Sequence, residues 1–456
     1  MPIASGSAHA EGVNRLLRSY RAIPTTATVR LAKPTSNLFR ARAKSTTPGL
    51  DTSGLTGVID VDPVNRTAEV AGMCTYEDLV AATLAHGLSP LVVPQLKTIT
   101  PGGAVTGLGI ESASFRNGLP HESVLEMDIL TGSGEIVTAA PDRLADLYRG
   151  FPNSYGTLGY SVRLRIQLEP VKPFVALRHI RFHSLDELVS VMESIVNTAA
   201  YEGESVDYLD GVVFAADECY LSLGALTAAP GPVSDYTGQR VYYRSIQHPD
   251  GISNDRLTIH DYLWRWDTDW FWCSRAFGAQ NPGIRRLWPR KYRRSSVYWK
   301  LIALDQRYDI ADRIERFNGR PARERVVQDV EVPISRTPEF LRWFLDEIPI
   351  EPVWVCPLRL RDSEGWPLYP IRPGQTYVNI GFWSSVPAGA VEGATNRLIE
   401  RKVSELGGHK SLYSESFYTR DEFEPLYGGE HYRTLKKTYD PDNRLLDLYA
   451  KAVRRQ

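Results

Sequence analysis

Apolar and polar residues alternate strictly along residues 160–168, which predicts a strand with one buried face. Gly57-Val-Ile-Asp-Val-Asp62 and Thr67-Ala-Glu-Val-Ala71 read as two further strands joined by Pro63-Val-Asn-Arg66. Residues 124–130 and 135–138 flank Thr131-Gly-Ser-Gly134, a strand–turn–strand hairpin. Helical signals are fewer. Residues 11–22 fit a short helix, and Thr75-Tyr-Glu-Asp78 is a capping box, with Asp in place of the usual Glu, that opens a helix through residue 85. His86-Gly87 closes that helix. Many short strands with few helices give an α+β pattern, not a regular βαβ repeat.

The texture changes at Pro170-Val-Lys-Pro173, which places a domain boundary there: one domain over 1–173 and a second over 174–456. The second is also α+β, with a helix at 185–199 and strands near 206–214, 220–223, 326–333, 353–360 and 377–382. Helices at 395–406 and 442–453 are expected to complete the chain as a C-terminal helical segment.

With 456 residues the chain is too long for one ordinary core, and its 43% hydrophobic and 23% charged residues fit a soluble globular protein. A net charge of -1 argues against general polyanion binding, so no nucleic-acid partner is expected. Cys74, Cys219, Cys273 and Cys356 are scattered without a CxxC, which suggests neither a metal site nor a disulfide framework. They read as reduced core residues of a cytoplasmic protein. No apolar run approaches the roughly 18–20 residues of a membrane span, and no secretory signal is seen.

The densest chemical signal is residues 94–118, PQLKTITPGGAVTGLGIESASFRNG. Its glycines allow tight turns and close backbone approach to a ligand, and successive N–H groups there can form a nest for a phosphate. Two familiar nucleotide loops fail on missing residues. Gly107-Leu-Gly109 lacks the third glycine of a Rossmann fingerprint, since Ser112 stands there, and no Gly-Lys-Ser/Thr is present.

Neighbouring features place this stretch. Ala43-Lys-Ser-Thr-Thr-Pro48, the strand pair ending at Val70, the Thr75 helix, the glycine-rich loop, Asp128-Ile-Leu-Thr-Gly-Ser-Gly134 and Gly156-Thr-Leu-Gly159 follow in order. That order resembles the PCMH-type (vanillyl-alcohol-oxidase-like) FAD-binding domain. The resemblance implies FAD held by Lys44, Ser45, Thr46 and Thr47 of a first loop. It also implies Pro101, Gly102, Gly103, Ala104, Gly107, Gly109, Ile110, Glu111, Ser112, Ser114, Phe115 and Gly118 of a second loop, with Gly156, Thr157 and Gly159 beyond them. The first loop has no His for a covalent flavin link, and His121 reads as a surface histidine or one supporting a neighbour, so the FAD is expected to be non-covalent.

A narrower resemblance is to the delta-24 sterol reductase branch, on Gly109-Ile-Glu-Ser-Ala-Ser114, Val327-Gln-Asp-Val330, Val353-Trp-Val-Cys-Pro357 and Tyr418-Thr-Arg-Asp-Glu-Phe423. Eukaryotic members carry an N-terminal membrane segment that this chain lacks, which turns the expectation toward soluble bacterial relatives. Those are methylene-fatty-acyl reductases of 10-methyl (tuberculostearic-type) acid synthesis, which work beside an S-adenosylmethionine-dependent methyltransferase. The resemblance therefore implies reduction of a methylene-branched acyl chain, with NADPH as electron donor. The alternatives are a delta-24 sterol reductase, an FAD-linked oxidase or dehydrogenase of an alcohol, sugar lactone or hydroxy acid, and a flavin-binding subunit that stabilises a methyltransferase.

Alkene reduction needs a proton donor and benefits from aromatic faces that favour a cation-like carbon. Tyr262, Trp264, Trp266 and Asp267 offer both or simply fill a core; Asp329, Glu331 and Tyr418 are the other candidate acids. Six of the ten tryptophans lie in residues 262–299, beside the basic run Arg285, Arg286, Arg290, Lys291, Arg293 and Arg294. That composition suits peripheral contact with the inner face of a membrane through 285–299; the 2′-phosphate of NADPH and a solvated loop are the other readings.

Overall fold

The computed structural model describes residues 6–33, 39, 48–249, 251–308, 313, 319 and 321–454. Two antiparallel sheets organise it. The first runs Val58–Asp62, Thr67–Ala71, Gly159–Pro170, Val124–Thr131, Ile136–Ala139, and Leu88–Pro90 pairs with the far end of Gly159–Pro170. The alternation in the long strand is realised: Val162, Leu164, Ile166 and Leu168 are all buried. Helix Tyr76–Leu84 starts at Thr75 as expected, but only the N-cap half of the capping box forms. The Thr75 hydroxyl accepts from the Asp78 amide at 3.1 Å and donates to the Asp78 carboxylate at 2.7 Å.

The glycine-rich stretch is not all loop. Thr100 accepts the Gly103 N–H at 3.0 Å and Pro101 occupies the first turn, so Pro101–Thr106 is a short helix. A second turn of helix, Ser114–Asn117, ends at Gly118 with φ 69°.

The second sheet has eight strands in the order Ile252–Thr258, Phe174–Phe182, Glu218–Thr227, Tyr208–Ala215, Val353–Leu358, Tyr377–Pro387, Arg323–Pro333, His409–Lys410. Side chains alternate across it, and the two faces differ. Leu209, Val213, Val326, Val330, Val353, Val355, Val378, Ile380 and Phe382 point one way, into a core closed by helices Leu185–Thr198, Thr337–Glu347 and Ala394–Glu405. Tyr208, Val212, Trp354, Cys356 and Tyr377 point the other way, into the core shared with the first sheet and the aromatic segment. Asp329 and Glu331, at odd positions between buried valines, are carried on that second face.

The C-terminal region departs from the sequence reading. Helices form at Arg420–Leu426, Gly429–Tyr439 and Leu448–Ala452, and the expected helix at 442–453 is confined to its last turn. Pro441 follows Asp440, Asn443 takes φ 51°, and Asp447 caps the final turn by accepting the Ala450 N–H at 2.7 Å.

Phe382 is fully buried on a central strand of the second sheet. Phe382→Ala is expected to lower stability by about 3–5 kcal/mol, against less than about 0.5 kcal/mol for exposed Val64→Ser. Urea titration followed by circular dichroism distinguishes the two.

Candidate active site

A cavity of about 740 Å³ lies between the two sheets. One wall comes from the flavin-loop region: Gly102, Gly103, Gly107, Gly109, Ile110, Gly156, Tyr155 and Ser161. The opposite wall comes from the aromatic segment and the second sheet: Trp270, Phe271, Asp329, Trp354, Asn379, Trp383, Ser411 and Tyr413. Thr28 to Leu31, Phe39 and Lys451 close the ends.

Strand register builds the acidic corner. Asp329 pairs with Gly381, which pairs with Trp354 on the next strand; Glu331 pairs with Asn379, which pairs with Cys356. Gly381 makes room for the acid, because a Cβ there would sit 2.5 Å from Asp329 Oδ1. Asn379 Nδ2 donates to Asp329 Oδ1 at 3.0 Å, and the Tyr413 hydroxyl hydrogen-bonds the same carboxyl while accepting from Trp383 Nε1 at 3.0 Å. Burial pushes the Asp329 carboxyl up to about 6 against the opposing pull of Tyr413 and Asn379. Glu331, behind it, accepts from the Ser411 hydroxyl at 2.8 Å, and burial holds its carboxyl well above the usual range.

The aromatic wall is held in a sparsely populated backbone. Trp270 and Phe271 have φ of 46° and 57°, and Tyr155 on the facing wall has 52°. The Trp266 ring stacks on Phe271 at 4.7 Å and props it from behind.

Behind that wall lies a buried ionic cluster. Arg265 Nη2 contacts Glu111 Oε1 at 2.7 Å and Asp210 Oδ2 at 2.8 Å, with its side chain fully buried. Ser112 donates to Glu111 at 2.8 Å and meets the Tyr262 hydroxyl at 2.9 Å. The Trp266 and Trp354 indoles donate to Asp210 at 3.3 and 3.2 Å. Burial raises the Glu111 carboxyl, and the Arg265 guanidinium pulls it back.

The sequence-derived residues thus divide. Gly102, Gly103, Gly107, Gly109, Ile110 and Gly156 face the cavity, as does Asp329. Pro101 and Ala104 are buried in their helix; the Ser114 hydroxyl accepts the Glu111 N–H, and the Thr157 hydroxyl donates to the Ser154 carbonyl. Phe115 belongs to the helix-side core, and Gly118 and Gly159 serve positive φ. Lys44, Ser45, Thr46 and Thr47 lie outside the described residues. Among the candidate acids, Tyr262 and Trp266 belong to the buried cluster, where their polar atoms are engaged. Asp267 is a structural anchor that accepts from the Lys97 amide at 2.9 Å and the Ser295 hydroxyl at 2.5 Å. Tyr418 packs on Phe423 and Tyr427 away from the cavity lining. His121 is fully buried edge-on to Trp366, and burial lowers its imidazole to about 3. It is not a surface group. The basic run also divides: Arg285 is buried against Asp269 at 2.7 Å, while Arg286, Arg290 and Lys291 are exposed.

Sequence reasoning missed Asn379, Trp383, Ser411 and Tyr413. The first two carried a usable signal, since strand alternation from Val378 puts Asn379 and Trp383 on the face of Asp329; Ser411 and Tyr413 lie in an unpatterned stretch.

The cavity suits a flavin. A Cβ at Gly102 would meet the Gly72 carbonyl oxygen at 2.4 Å, so only a bare backbone fits beside the wall. Asn379 Oδ1 and Ser161 Oγ lack protein partners among the described residues and stand at the lining. The nest is narrower than its glycines suggest, because Thr100 already takes the Gly103 N–H and the Gly103 carbonyl takes the Gly107 N–H.

Arg265→Met would leave Glu111 and Asp210 buried together without a cation. The expected loss is about 3–5 kcal/mol, read as a lowered urea midpoint. Arg265→Met combined with Glu111→Gln and Asp210→Asn should recover part of it.

Comparison with known proteins agrees with this geometry. An FAD binding domain family model matches residues 25–140. The Delta(24)-sterol reductase of Rattus norvegicus is 25% identical over 415 residues, covering 87% of this chain and 76% of that protein. The Delta(24)-sterol reductase of Arabidopsis thaliana is 24% identical over 451 residues, covering 88% and 76%. Cytokinin dehydrogenase 6 of Oryza sativa subsp. japonica is 32% identical over 145 residues, covering 32% of this chain and 27% of that protein. With the flavin-loop wall and the α+β architecture, these matches make the chain an FAD-binding oxidoreductase, with a PCMH-type flavin domain and homology to the delta-24 sterol reductases.

Proposed function

We propose that the protein reduces a carbon–carbon double bond of a lipid: a methylene-branched fatty acyl chain becomes its methyl-branched product, with NADPH as electron donor. The observation that carries this reading is an acid set into a wall rich in aromatic rings, with Asn379, Ser411 and Tyr413 as its polar neighbours. Asp329, with its carboxyl near 6, shares the cavity with Trp270, Phe271, Trp354 and Trp383. An alcohol or hydroxy-acid dehydrogenase needs a base and polar groups for the hydroxyls, whereas an isolated alkene needs a proton and a dry site.

Bound FAD, refilled by NADPH, would supply a hydride to one alkene carbon. The residues do the rest. Asp329 holds the proton at a carboxyl oxygen for the other alkene carbon, and Asn379 and Tyr413 fix its orientation. The tryptophan faces exclude water and favour positive charge developing on the carbon skeleton. In this reading residues 1–173 hold the flavin and 174–456 the substrate. The protein works in the cytoplasm, touches the inner face of the membrane through 285–299, and follows a methyltransferase that makes the methylene branch. None of the described helices is long and apolar enough to cross a membrane. A sterol double bond is the second reading, supported by similarity to Delta(24)-sterol reductases over most of the chain.

Anaerobic mixing tests both. NADPH should bleach the flavin, and a methylene-acyl phospholipid should restore its absorbance; restoration by a Δ24 sterol alone favours the second reading. Bleaching by an alcohol, with peroxide formed in air, would overturn both. Asp329→Asn should keep the NADPH step and slow the alkene step about 10²–10⁴-fold. Because the acid must be protonated, the alkene step in the native protein should fall about tenfold per pH unit above about 6, a limb that Asp329→Asn removes.

The flavin link is also open to test. The described lining residues include no His or Cys, which supports non-covalent FAD. Acid precipitation should therefore leave the flavin in the supernatant. Gly102→Val, whose side chain would collide with backbone at Gly72, should purify without flavin colour.

A further inference from the structure

We propose, resting on and deepening the membrane contact of the reading above, that residues 282–297 form a rigid knob that docks the protein on an anionic lipid bilayer. Helix Pro282–Leu287 and the 3₁₀ turn Arg290–Tyr292 turn their apolar side chains outward. Leu287 is 84% exposed, and Ile284 and Tyr292 are 45% and 47% exposed. Together with Trp288, Pro289 and Val297 they line a shallow, nearly all-apolar depression of about 410 Å³. A single exposed leucine is ordinary; a contiguous apolar patch marks a binding surface.

Charge identifies the partner. From Asp269 to Asp305 the sequence contains no carboxylate between those two residues, yet Arg286, Arg290 and Lys291 stand exposed around the patch. The carboxylates that do reach the segment come from elsewhere: Asp235 meets Arg290 at 3.2 Å at an exposed site, and Glu77 pairs with Arg294 at its base. Apolar tips, a tryptophan and a tyrosine at the rim, and cations on the flanks match the layers of a bilayer surface with acidic headgroups. The patch comprises six residues, far fewer than the roughly 20–30 residues a side of a stable protein interface.

The knob is built to hold its apolar side chains out. Arg285 is buried beneath it, paired to both oxygens of Asp269 at 2.7 and 3.0 Å and donating to the Gly238 carbonyl at 2.7 Å. Arg293 donates to the Thr237, Gly238 and Trp288 carbonyls at 2.7–2.8 Å. The two arginines clamp the segment from inside, so little ordering entropy remains for binding. An aromatic path leads inward: Trp288 contacts Tyr298, neighbouring Trp299 is edge-on to Phe39, and Phe39 stacks on Trp270 in the cavity wall.

Vesicle flotation tests the proposal. The native protein should bind phosphatidylcholine vesicles containing phosphatidylglycerol, bind pure phosphatidylcholine at least tenfold more weakly, and lose affinity as salt rises. Leu287→Ser with Ile284→Ser, and separately Arg286→Glu with Lys291→Glu, should each weaken binding more than tenfold, while Val64→Ser in the flavin domain leaves it unchanged. Absence of binding to the anionic vesicles, or full binding by the Leu287 and Ile284 variant, overturns the proposal. So does a solution dimer that Leu287→Ser dissociates, which would assign the patch to a second copy of the chain. None of these side chains lines the cavity, so NADPH-driven reduction of a short soluble alkene should survive in every variant. Docking and alkene chemistry therefore fail independently.

Discussion

The architecture depends on one buried cation. Arg265 sits between Glu111 of the flavin loop and Asp210 of the second sheet, and its pairing joins two parts of the chain 154 positions apart. A fully desolvated guanidinium is tolerable only with excellent geometry and supporting hydrogen bonds, and in this cluster Glu111 Oε2 and Arg265 Nε are left without a hydrogen-bond partner among the described residues. Here Ser112 serves Glu111, two indoles serve Asp210, and the Tyr262 ring lies 4.1 Å from the guanidinium. Burial raises the Glu111 carboxyl, the Arg265 guanidinium pulls it back, and the second carboxylate, Asp210, adds to the rise. Such a cluster tolerates one arrangement of the two parts, and that arrangement sets the cavity width.

The cluster also explains the aromatic segment. Trp354 donates its indole to Asp210 and presents its ring to the cavity, so the ionic network fixes a cavity wall directly. Trp266 does the same at one remove, holding Asp210 by its nitrogen and Phe271 by its face. Support of this kind lets Trp270 and Phe271 keep positive φ, a conformation that bulky residues hold only when their surroundings over-determine it. The residues that first looked like a catalytic acid and its aromatic partners are thus the frame around the site.

This division shows how far sequence reaches. Local signals read true where the physics is local: the Thr75 cap, the alternation over 160–168, the hairpin at Thr131 and the Val326 strand are contained in adjacent residues. The order of loops around Gly102 pointed to FAD because each loop is itself a local motif. What sequence hid was pairing at a distance. Nothing near Glu111 announces Arg265, so a residue that orders the flavin loop from behind was read as touching the cofactor. Asp267 and Asp329 look alike in sequence, each an acid beside large apolar residues. Only the fold places one against Lys97 and Ser295 and the other at a cavity. At the C-terminus Asp440-Pro441 interrupts a pattern that otherwise reads as helix, and Asp447 restarts it.

Asp329 and Glu331 show why position within a sheet decides chemistry. Both project from one strand to the same face, both are pushed up by burial, and they are two residues apart. Glu331 accepts from a serine hydroxyl and does not line the cavity. Asp329 has two donors that partly stabilise its charged form and hold it near 6, where a carboxyl can both give up and regain a proton at ordinary pH. Gly381 supplies the space, and without that missing Cβ the acid could not turn toward the cavity. The two carboxyls are coupled through this proximity: negative charge on Glu331 would push Asp329 further up. The strand thus presents one carboxyl to the cavity and keeps the other in the core, held by Ser411.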